Sequence, residues 1–464
     1  MRTNARWVAV LAAVSLGLAA CSSGGGGSGD GDAASCPVGA LDDASGPVEI
    51  TFWHAVTNEN EVVFEDLIAQ FEAQEPRIDV NLINQVTYMD LFNKFIAGLD
   101  DGNLPDIAQM EETTVQKLVD SQSTVPVQAC VDADDYDLSD FLPRALDYYT
   151  VDDTLRSMPW NVSNPVLIYN KNLFAAAGLD PEVPPATLDE VREFSRQIVD
   201  SGAAPYGMAL HVEPYINEFL FAKSGVEYVN NGNGRDARAT ESQLDSPEGL
   251  EIWTWWDEMV DSGLALNTGS QPANYDHLFA LANGNAAMTF EASGALGPAE
   301  AVLASGEFGD LELGVGSLPA LEPGGGVPVG DGSLWITRDT SPEKQAAAWA
   351  LIKFLSDPEQ QAFLSIGSQG GYVPIRQSVV ENPDLLALWA QKPWLRVPFD
   401  QLESGPTTTA TVGSIIGDYQ GVRDAVREGY ERMLVGGVSP EDALAQAQAQ
   451  ATEVIQAYNE RVGA

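Results

Sequence analysis

PVEITFWHA, residues 47–55, alternates Val48, Ile50 and Phe52 and reads as a strand with one face turned inward. Glu59 to Gln74 follows with apolar residues at 63, 64, 67, 68 and 71, the spacing of a helix with one buried face, and Pro76 stops it. Ile78, Val80 and Leu82 form the next strand. Thr87 then caps a helix from Tyr88 to about Leu99, and LPDIAQM at 104–110 is a third strand. This β-α-β-α-β order predicts a parallel sheet with helices on its faces. Ligands of such sheets sit outside the carboxyl ends of the strands, near which Tyr88 and the Glu111-Glu112 pair fall.

Further along, MPWNVSNPVLIYN at 158–170 is an extended run holding two prolines. A helix-rich middle follows at Leu188 to Asp200, Pro214 to Lys223, Pro247 to Ser262 and Tyr275 to Ala282, which predicts a second αβ unit. Val329 to Thr337 returns as a strand. Pro342 to Leu355 and Pro358 to Ile366 are helices, and the tail from Gly413 is helical with a break at Gly436-Gly437.

With 464 residues, the chain is long enough for two or three domains or lobes and a large core. Its formal net charge of −45 argues against nucleic acid as a partner, because phosphate binding needs basic surface. The histidines, His54, His211 and His277, have no ligand spacing between them, so neither a metal site nor a cofactor is expected. DADDYDLSD at 132–140 lacks the glycine and the terminal glutamate of a calcium loop and reads as a solvated acidic loop.

The N-terminus has a basic start, Arg2 and Arg6, and an apolar run from Trp7 to Leu18 that ends in Leu18-Ala19-Ala20-Cys21. Residues 1–20 are expected to be a secretory signal. Cysteine directly after Leu-Ala-Ala resembles a bacterial lipobox, which implies lipidation of Cys21 and anchoring to the outer face of the cell membrane through acyl chains. Residues 21–46 then hold the lipidated cysteine and a Gly/Ser-rich tether. Cys36 and Cys130 remain. In an oxidising compartment they suggest one disulfide, with two free thiols as the alternative.

ITFWHA at 50–55, LPDIAQMEE at 104–112 and MPWNVSNPVLIYNKNLFAAAGLDPEVPPATLDE at 158–190 are followed by LANGNAAMTFEASGAL at 281–296. GDGSLWI at 330–336, GGYVPIR at 370–376 and GVSPEDAL at 437–444 complete the series. In this order they resemble the extracellular solute-binding proteins of ABC importers, family 1, and NVSNPVLIYNK followed by GLDPEVPPAT is most similar to the glycerol-3-phosphate receptor branch. The resemblance implies an α/β fold of two lobes joined by crossovers near 158–165, 328–332 and 355–360, with a ligand cleft between them (periplasmic-binding-protein-like, type II). Lobe 1 would comprise 47–158 with about 332–355, and lobe 2 about 165–328 with 360–464. Ligand binding would close the hinge and present the closed monomer to a membrane permease.

The resemblance also implies ligand contacts at Tyr88, Glu112, Ser163, Ser293, Asp331, Tyr372 and Arg423. Tyr88 can offer its hydroxyl to an anion or its ring to a sugar face, or it can pack the helix start. Glu112, with Glu111 beside it, suits vicinal hydroxyls. Ser163 stands in the first crossover, where turn chemistry is an alternative role. Tyr372 follows Gly370-Gly371, which would let its ring reach a cleft. Arg423 is conspicuous in a chain with 23 Lys+Arg, and its guanidinium fork could clamp a phosphate, or be a solvated helix arginine. The chain departs from the branch at Leu210-His211-Val212, where the branch has a tryptophan, and at Ala292, which aligns with a contact serine beside Ser293. It departs again at Asp331, where the branch has glycine. The ligand the resemblance implies is of the glycerol-3-phosphate type, glycerol-3-phosphate or a glycerophosphodiester, with a mono- or oligosaccharide as the alternative. Because a carboxylate beside a phosphate is unfavourable, these changes favour a larger ligand, such as a glycerophosphodiester carrying choline, or an uncharged sugar. Trp253, Trp255 and Trp256 read as helix core rather than a sugar platform. A carbohydrate-active enzyme is the rival class, but no GxSxG or HExxH is present.

Overall fold

A computed structural model of the chain describes residues 35–57, 59–270, 275–304 and 311–464, with the backbone alone for 301–304. Ser35–Ala464 forms one compact unit. The signal segment, Cys21 and the tether up to residue 34 lie outside the described residues.

The first sheet grows from the strand Val48–His54, whose inward residues Ile50 and Phe52 are fully buried. It pairs in parallel with Ile78–Asn84 on one side and Ile107–Glu111 on the other. The helix Glu59–Gln74 covers it with Phe64, Leu67, Ile68 and Phe71, its buried stripe. Thr87 caps the helix Tyr88–Asp101, its side chain accepting from the Asp90 amide at 3.0 Å, and Gly102 ends it in a left-handed conformation. The three strands of the β-α-β-α-β unit are parallel, as their order predicts, and later strands make the whole sheet mixed. The strand Gly330–Thr337 enters from the other end and runs antiparallel to Ile107–Glu111, Thr124–Val125 and Met158–Ser163. Its polarity is set by where the chain returns, which local periodicity cannot encode.

The second sheet has the order Ala265–Asn267, Tyr206–Leu210, Ala286–Ala292, Pro165–Asn170, Leu313–Ser317. Met158–Ser163 belongs to the first sheet and Pro165–Asn170 to the second, so the chain passes between lobes at Asn164. Asn164 is buried and fully engaged: its Nδ2 donates to the Pro398 carbonyl at 2.9 Å, and its Oδ1 accepts from Gln401 Nε2 at 2.8 Å. A second passage leads from Ser317 to Gly330. The third, expected near 355–360, falls later. The helix Pro358–Gly367 stays on the first lobe, against Glu59–Gln74 and Pro342–Ser356, and Val397–Ser404 is the segment that packs on the second sheet. Gly367 sits so close to Val63 that a Cβ there would lie 2.6 Å from a Val63 methyl, so glycine permits the tight packing of this helix end on Glu59–Gln74.

Two arginines, Arg144 buried and Arg235 partly buried, bind carbonyls across the passages. Arg144 donates to Val327 O at 2.9 Å and to Pro406 O at 3.0 Å. Arg235 donates to Gly413 O at 2.7 Å, Val412 O at 3.0 Å and Asp147 O at 3.0 Å. Carbonyl acceptors take up the Nη donors of Arg144 and the Nε and Nη donors of Arg235, and they tie the base of the molecule together, whereas Arg144 Nε is buried without a partner.

Cys36 and Cys130 are joined by a disulfide. Trp253, Trp255 and Trp256 lie in the core. Trp253 Nε1 donates to Asn217 Oδ1 at 3.1 Å, Trp255 Nε1 donates to the Leu188 carbonyl at 2.7 Å, and Trp253 stacks on Tyr430. In the acidic run, Asp134 accepts from Trp349 and Lys353, and Asp140 accepts from the Ser378 amide and hydroxyl. Among the described residues no helix is long and apolar enough to cross a membrane, and no histidine, cysteine and carboxylate cluster is arranged for a metal ion.

Candidate ligand-binding site

Between the two sheets lie two cavities that share Tyr275, Ala292 and Asp331 as walls. The larger, about 530 Å³, is bounded on the first-lobe side by Asn60, Tyr88 and Tyr372. The smaller, about 250 Å³, is lined by Glu111, Glu112, Glu213, Glu291, His211, His277 and Arg423 among others.

Tyr88 opens its capped helix, and its hydroxyl accepts from Asn161 Nδ2 at 3.0 Å and from Gln109 Nε2 at 3.1 Å. With both donors directed into its oxygen, the hydroxyl proton is free to point into the cavity. Tyr372 reaches the cavity because Gly370 adopts φ 72° and Gly371 passes tightly beside Ser293 and Ser368, whose carbonyls would lie 3.0 Å from any Cβ. Burial pushes both phenols up, so both stay protonated donors.

Asp331 stands where the cavities meet. Its φ of 66° places a non-glycine residue in the left-handed region, at an irregularity in the pairing of Gly330–Thr337 with Met158–Ser163. Gly330 and Gly332 flank it because a Cβ would meet Tyr215 Oη at 2.4 Å in one case and Asn161 Oδ1 at 2.1 Å in the other. Burial pushes the Asp331 carboxyl up to about 7, against the opposing influence of the Ser163 hydroxyl.

Arg423, on the helix Tyr419–Leu434, is buried among carboxylates. Its Nε and Nη2 grip both oxygens of Glu218, at 2.8 and 2.9 Å. Nη2 also donates to Glu112 at 2.9 Å, and Nη1 donates to Glu111 at 3.2 Å. Of the five N–H donors of a guanidinium, no parallel pair remains for a bidentate anion. Burial pushes Glu112 and Glu218 up, and Arg423 pulls both back. The second Glu112 oxygen is buried without a hydrogen-bond partner, an acceptor facing this crowded charge cluster.

Ser163 and Ser293 stand behind the walls rather than on them. Ser293 donates to the Gly371 carbonyl at 2.7 Å and so ties the second sheet to the Tyr372 turn. Ser163 lies on the strand facing Gly330 and acts on Asp331. Tyr275, His277, Glu291 and Asn60 line the cavities although the sequence reading did not select them. His277 stacks on His211 with centroids 5.1 Å apart, and its Nε2 lies 2.7 Å from Glu291. Residues 66 apart in the chain give no spacing signal for this pairing.

Comparison with known proteins agrees with this architecture. The model of the family described as bacterial extracellular solute-binding protein matches residues 66–395. The sn-glycerol-3-phosphate-binding periplasmic protein UgpB of Rhizobium meliloti is 29% identical over 414 residues, covering 88% of this chain and 93% of that protein. The cyclic α-maltosyl-1,6-maltose binding protein of Arthrobacter globiformis superposes with a TM-score of 0.70 at 25% identity, covering 89% of this chain and 100% of that one. UgpB from Mycobacterium tuberculosis, solved with glycerophosphocholine, gives 0.72 at 21% identity, over 89% and 98% of the two chains. The fold is thus the two-lobed, type II binding-protein fold. The chain belongs to the bacterial extracellular solute-binding proteins, the receptor class of ABC importers, which act outside the cytoplasm.

Proposed function

We propose that this chain is the receptor of an ABC importer for an uncharged, hydroxyl-rich solute, a carbohydrate or polyol, held in the cleft between the lobes and delivered to a permease after hinge closure. The observation that carries this reading is the engagement of Arg423 by Glu111, Glu112 and Glu218. A phosphate placed there would compete with three carboxylates for one cation and would face Asp331 as well. Hydroxyl groups meet no such conflict: carboxylate and tyrosine oxygens accept from them, and protonated phenols donate to them. A ligand that touches Tyr88 and Glu111 on one lobe and Glu291 and His277 on the other would favour the closed state, because only the closed state makes all its contacts. The receptor releases its ligand unchanged, and its tether to the membrane is the acylated Cys21.

A glycerol-3-phosphate-type ligand, including a glycerophosphodiester, is the second reading, favoured by the UgpB relatives at 29% identity or just below. It requires Arg423 to release Glu111, the most exposed of its partners. Calorimetric titration separates the two readings: sugars that bind where glycerol-3-phosphate and glycerophosphocholine do not support the first, and the reverse result supports the second.

A further inference from the structure

Beneath the wall that carries Tyr88 lie two fully buried amides, Gln109 on the strand Ile107–Glu111 and Asn161 on the strand Met158–Ser163. Both strands pair with Gly330–Thr337, and the amides meet where Gly332 leaves room: a Cβ there would lie 2.1 Å from Asn161 Oδ1 and 3.0 Å from Gln109 Nε2. Their hydrogen bonds run in one direction. The Ala55 backbone N–H can only donate, and it donates to Gln109 Oε1 at 2.8 Å. That fixes which end of the Gln109 amide is oxygen. Its Nε2 therefore turns the other way and donates to Asn161 Oδ1 at 2.9 Å and to Tyr88 Oη at 3.1 Å. Asn161 is oriented in turn, and its Nδ2 donates to Tyr88 Oη at 3.0 Å. The acceptor positions of the Tyr88 oxygen are thus filled from the protein side. Asn161 also hydrogen-bonds the phenol of Tyr372, which lines the same cavity.

Resting on the reading that a hydroxyl-rich solute occupies this cleft, we propose that Gln109 and Asn161 are positioning residues that set ligand specificity. The relay that starts at the Ala55 N–H makes Tyr88 a donor toward the cavity, so the ligand atom it meets is an oxygen that accepts: an ether, ring or hydroxyl oxygen. A group that can only donate, such as an ammonium, would set hydrogen against hydrogen and leave both donors without a partner in a buried site. The ionised carboxylates of the polar cavity have the opposite polarity, since they only accept. The ligand is therefore read directionally, with accepting oxygens toward Tyr88 and donating hydroxyls toward Glu111 and Glu291.

Two readouts test this. Ultraviolet resonance Raman spectra of the protein and of Tyr88→Phe give, by difference, the Fermi doublet of the Tyr88 phenol, whose intensity ratio reports whether the oxygen accepts or the hydroxyl donates to the protein. The expected ratio is that of an accepting oxygen. It should shift toward the donor type in Gln109→Met and in Asn161→Leu, each read against its own Tyr88→Phe double. A donor-type ratio in the parent protein, or one that neither variant shifts, overturns the proposal, and the parent spectrum decides the polarity even where a variant does not fold. Calorimetry with maltose and with glycerophosphocholine follows. Whichever probe binds the parent is expected to weaken at least tenfold in Gln109→Met and no further when Tyr88→Phe is added, because both changes remove one interaction. Losses that simply add overturn the action through Tyr88, and if neither probe binds, the Raman ratio alone decides. An acceptor-type ratio with glycerophosphocholine bound and maltose not bound supports the relay while sinking the uncharged-solute reading.

Discussion

Arg423 holds Glu218 through two parallel hydrogen bonds, Nε to Oε1 and Nη2 to Oε2, although the residues are 205 positions apart in the chain. The pair joins the helix Pro214–Lys223 to the helix Tyr419–Leu434, and through Glu111 and Glu112 it reaches the end of a first-lobe strand. Arg423 is therefore a structural cation as much as a wall of the cleft. Replacing it with Met leaves Glu112 and Glu218 buried without their countercharge. Removing one partner of a buried pair costs about 3–5 kcal/mol, so Arg423→Met is expected to lose a large part of its stability in urea unfolding at pH 7. The loss should shrink at pH 5, where the orphaned carboxyls take up protons more readily.

Asp331 keeps its proton to about pH 7, whereas an unfolded aspartate loses it near 3.8. Between those values the folded state binds more protons than the unfolded state, so this group's contribution to stability falls as pH rises from about 4 to about 7. Asp331→Asn removes that slope, and asparagine tolerates the left-handed backbone. Urea unfolding at pH 5 and pH 8 should show the variant gaining on the parent protein at pH 8. Affinity for a hydroxyl donor should rise through pH 7 in the parent, as the carboxylate ionises, and stay flat in Asp331→Asn.

Asp331→Gly tests the charge conflict directly. Glycine suits φ 66° without a Cβ and removes the carboxyl nearest the meeting point of the two cavities. Calorimetry should show glycerol-3-phosphate binding about tenfold tighter in this variant, equivalent to about 1.4 kcal/mol. No gain would mean that the Asp331 charge does not decide ligand class.

The Cys36–Cys130 bridge spans 94 residues of the first lobe. By loop entropy, a closed loop of this length contributes about 4–5 kcal/mol. The Cys36→Ser, Cys130→Ala pair should lower the unfolding midpoint accordingly, and reduction of the parent protein should reproduce the shift.

Much of this architecture was legible locally. The alternation in 47–55, the stripe at 63–71 and the Thr87 cap each report an element whose signal lies within its own few residues, and the structure ends the helix begun at Tyr88 only two residues beyond Leu99. The antiparallel return of Gly330–Thr337 and the late third crossing were not legible, because both depend on which distant surface a segment packs against. Composition made Arg423 conspicuous, but it carries no information about Glu218, whose partner comes from another lobe element. Ser163 and Ser293 are near the cleft in sequence register yet stand behind its walls, since one strand alternation separates a lining side chain from a buried one. Tyr275, where the cavities meet, and Glu291, in the polar cavity, come to line the cleft only once the second sheet has formed.

Cys21→Ala addresses the anchor by cell fractionation. The variant should leave the membrane fraction, and a membrane-bound variant would contradict lipid anchoring at this cysteine.

The most direct measurement is isothermal titration of the 35–464 unit, at pH 7.5, with a panel of mono- and disaccharides and glycosides against glycerol-3-phosphate and glycerophosphocholine. The account predicts micromolar or tighter binding of an uncharged, hydroxyl-bearing ligand and, for glycerol-3-phosphate, only binding about a hundredfold or more weaker than that. Tight glycerol-3-phosphate binding by the unaltered chain, with no response to any sugar or glycoside, would contradict it.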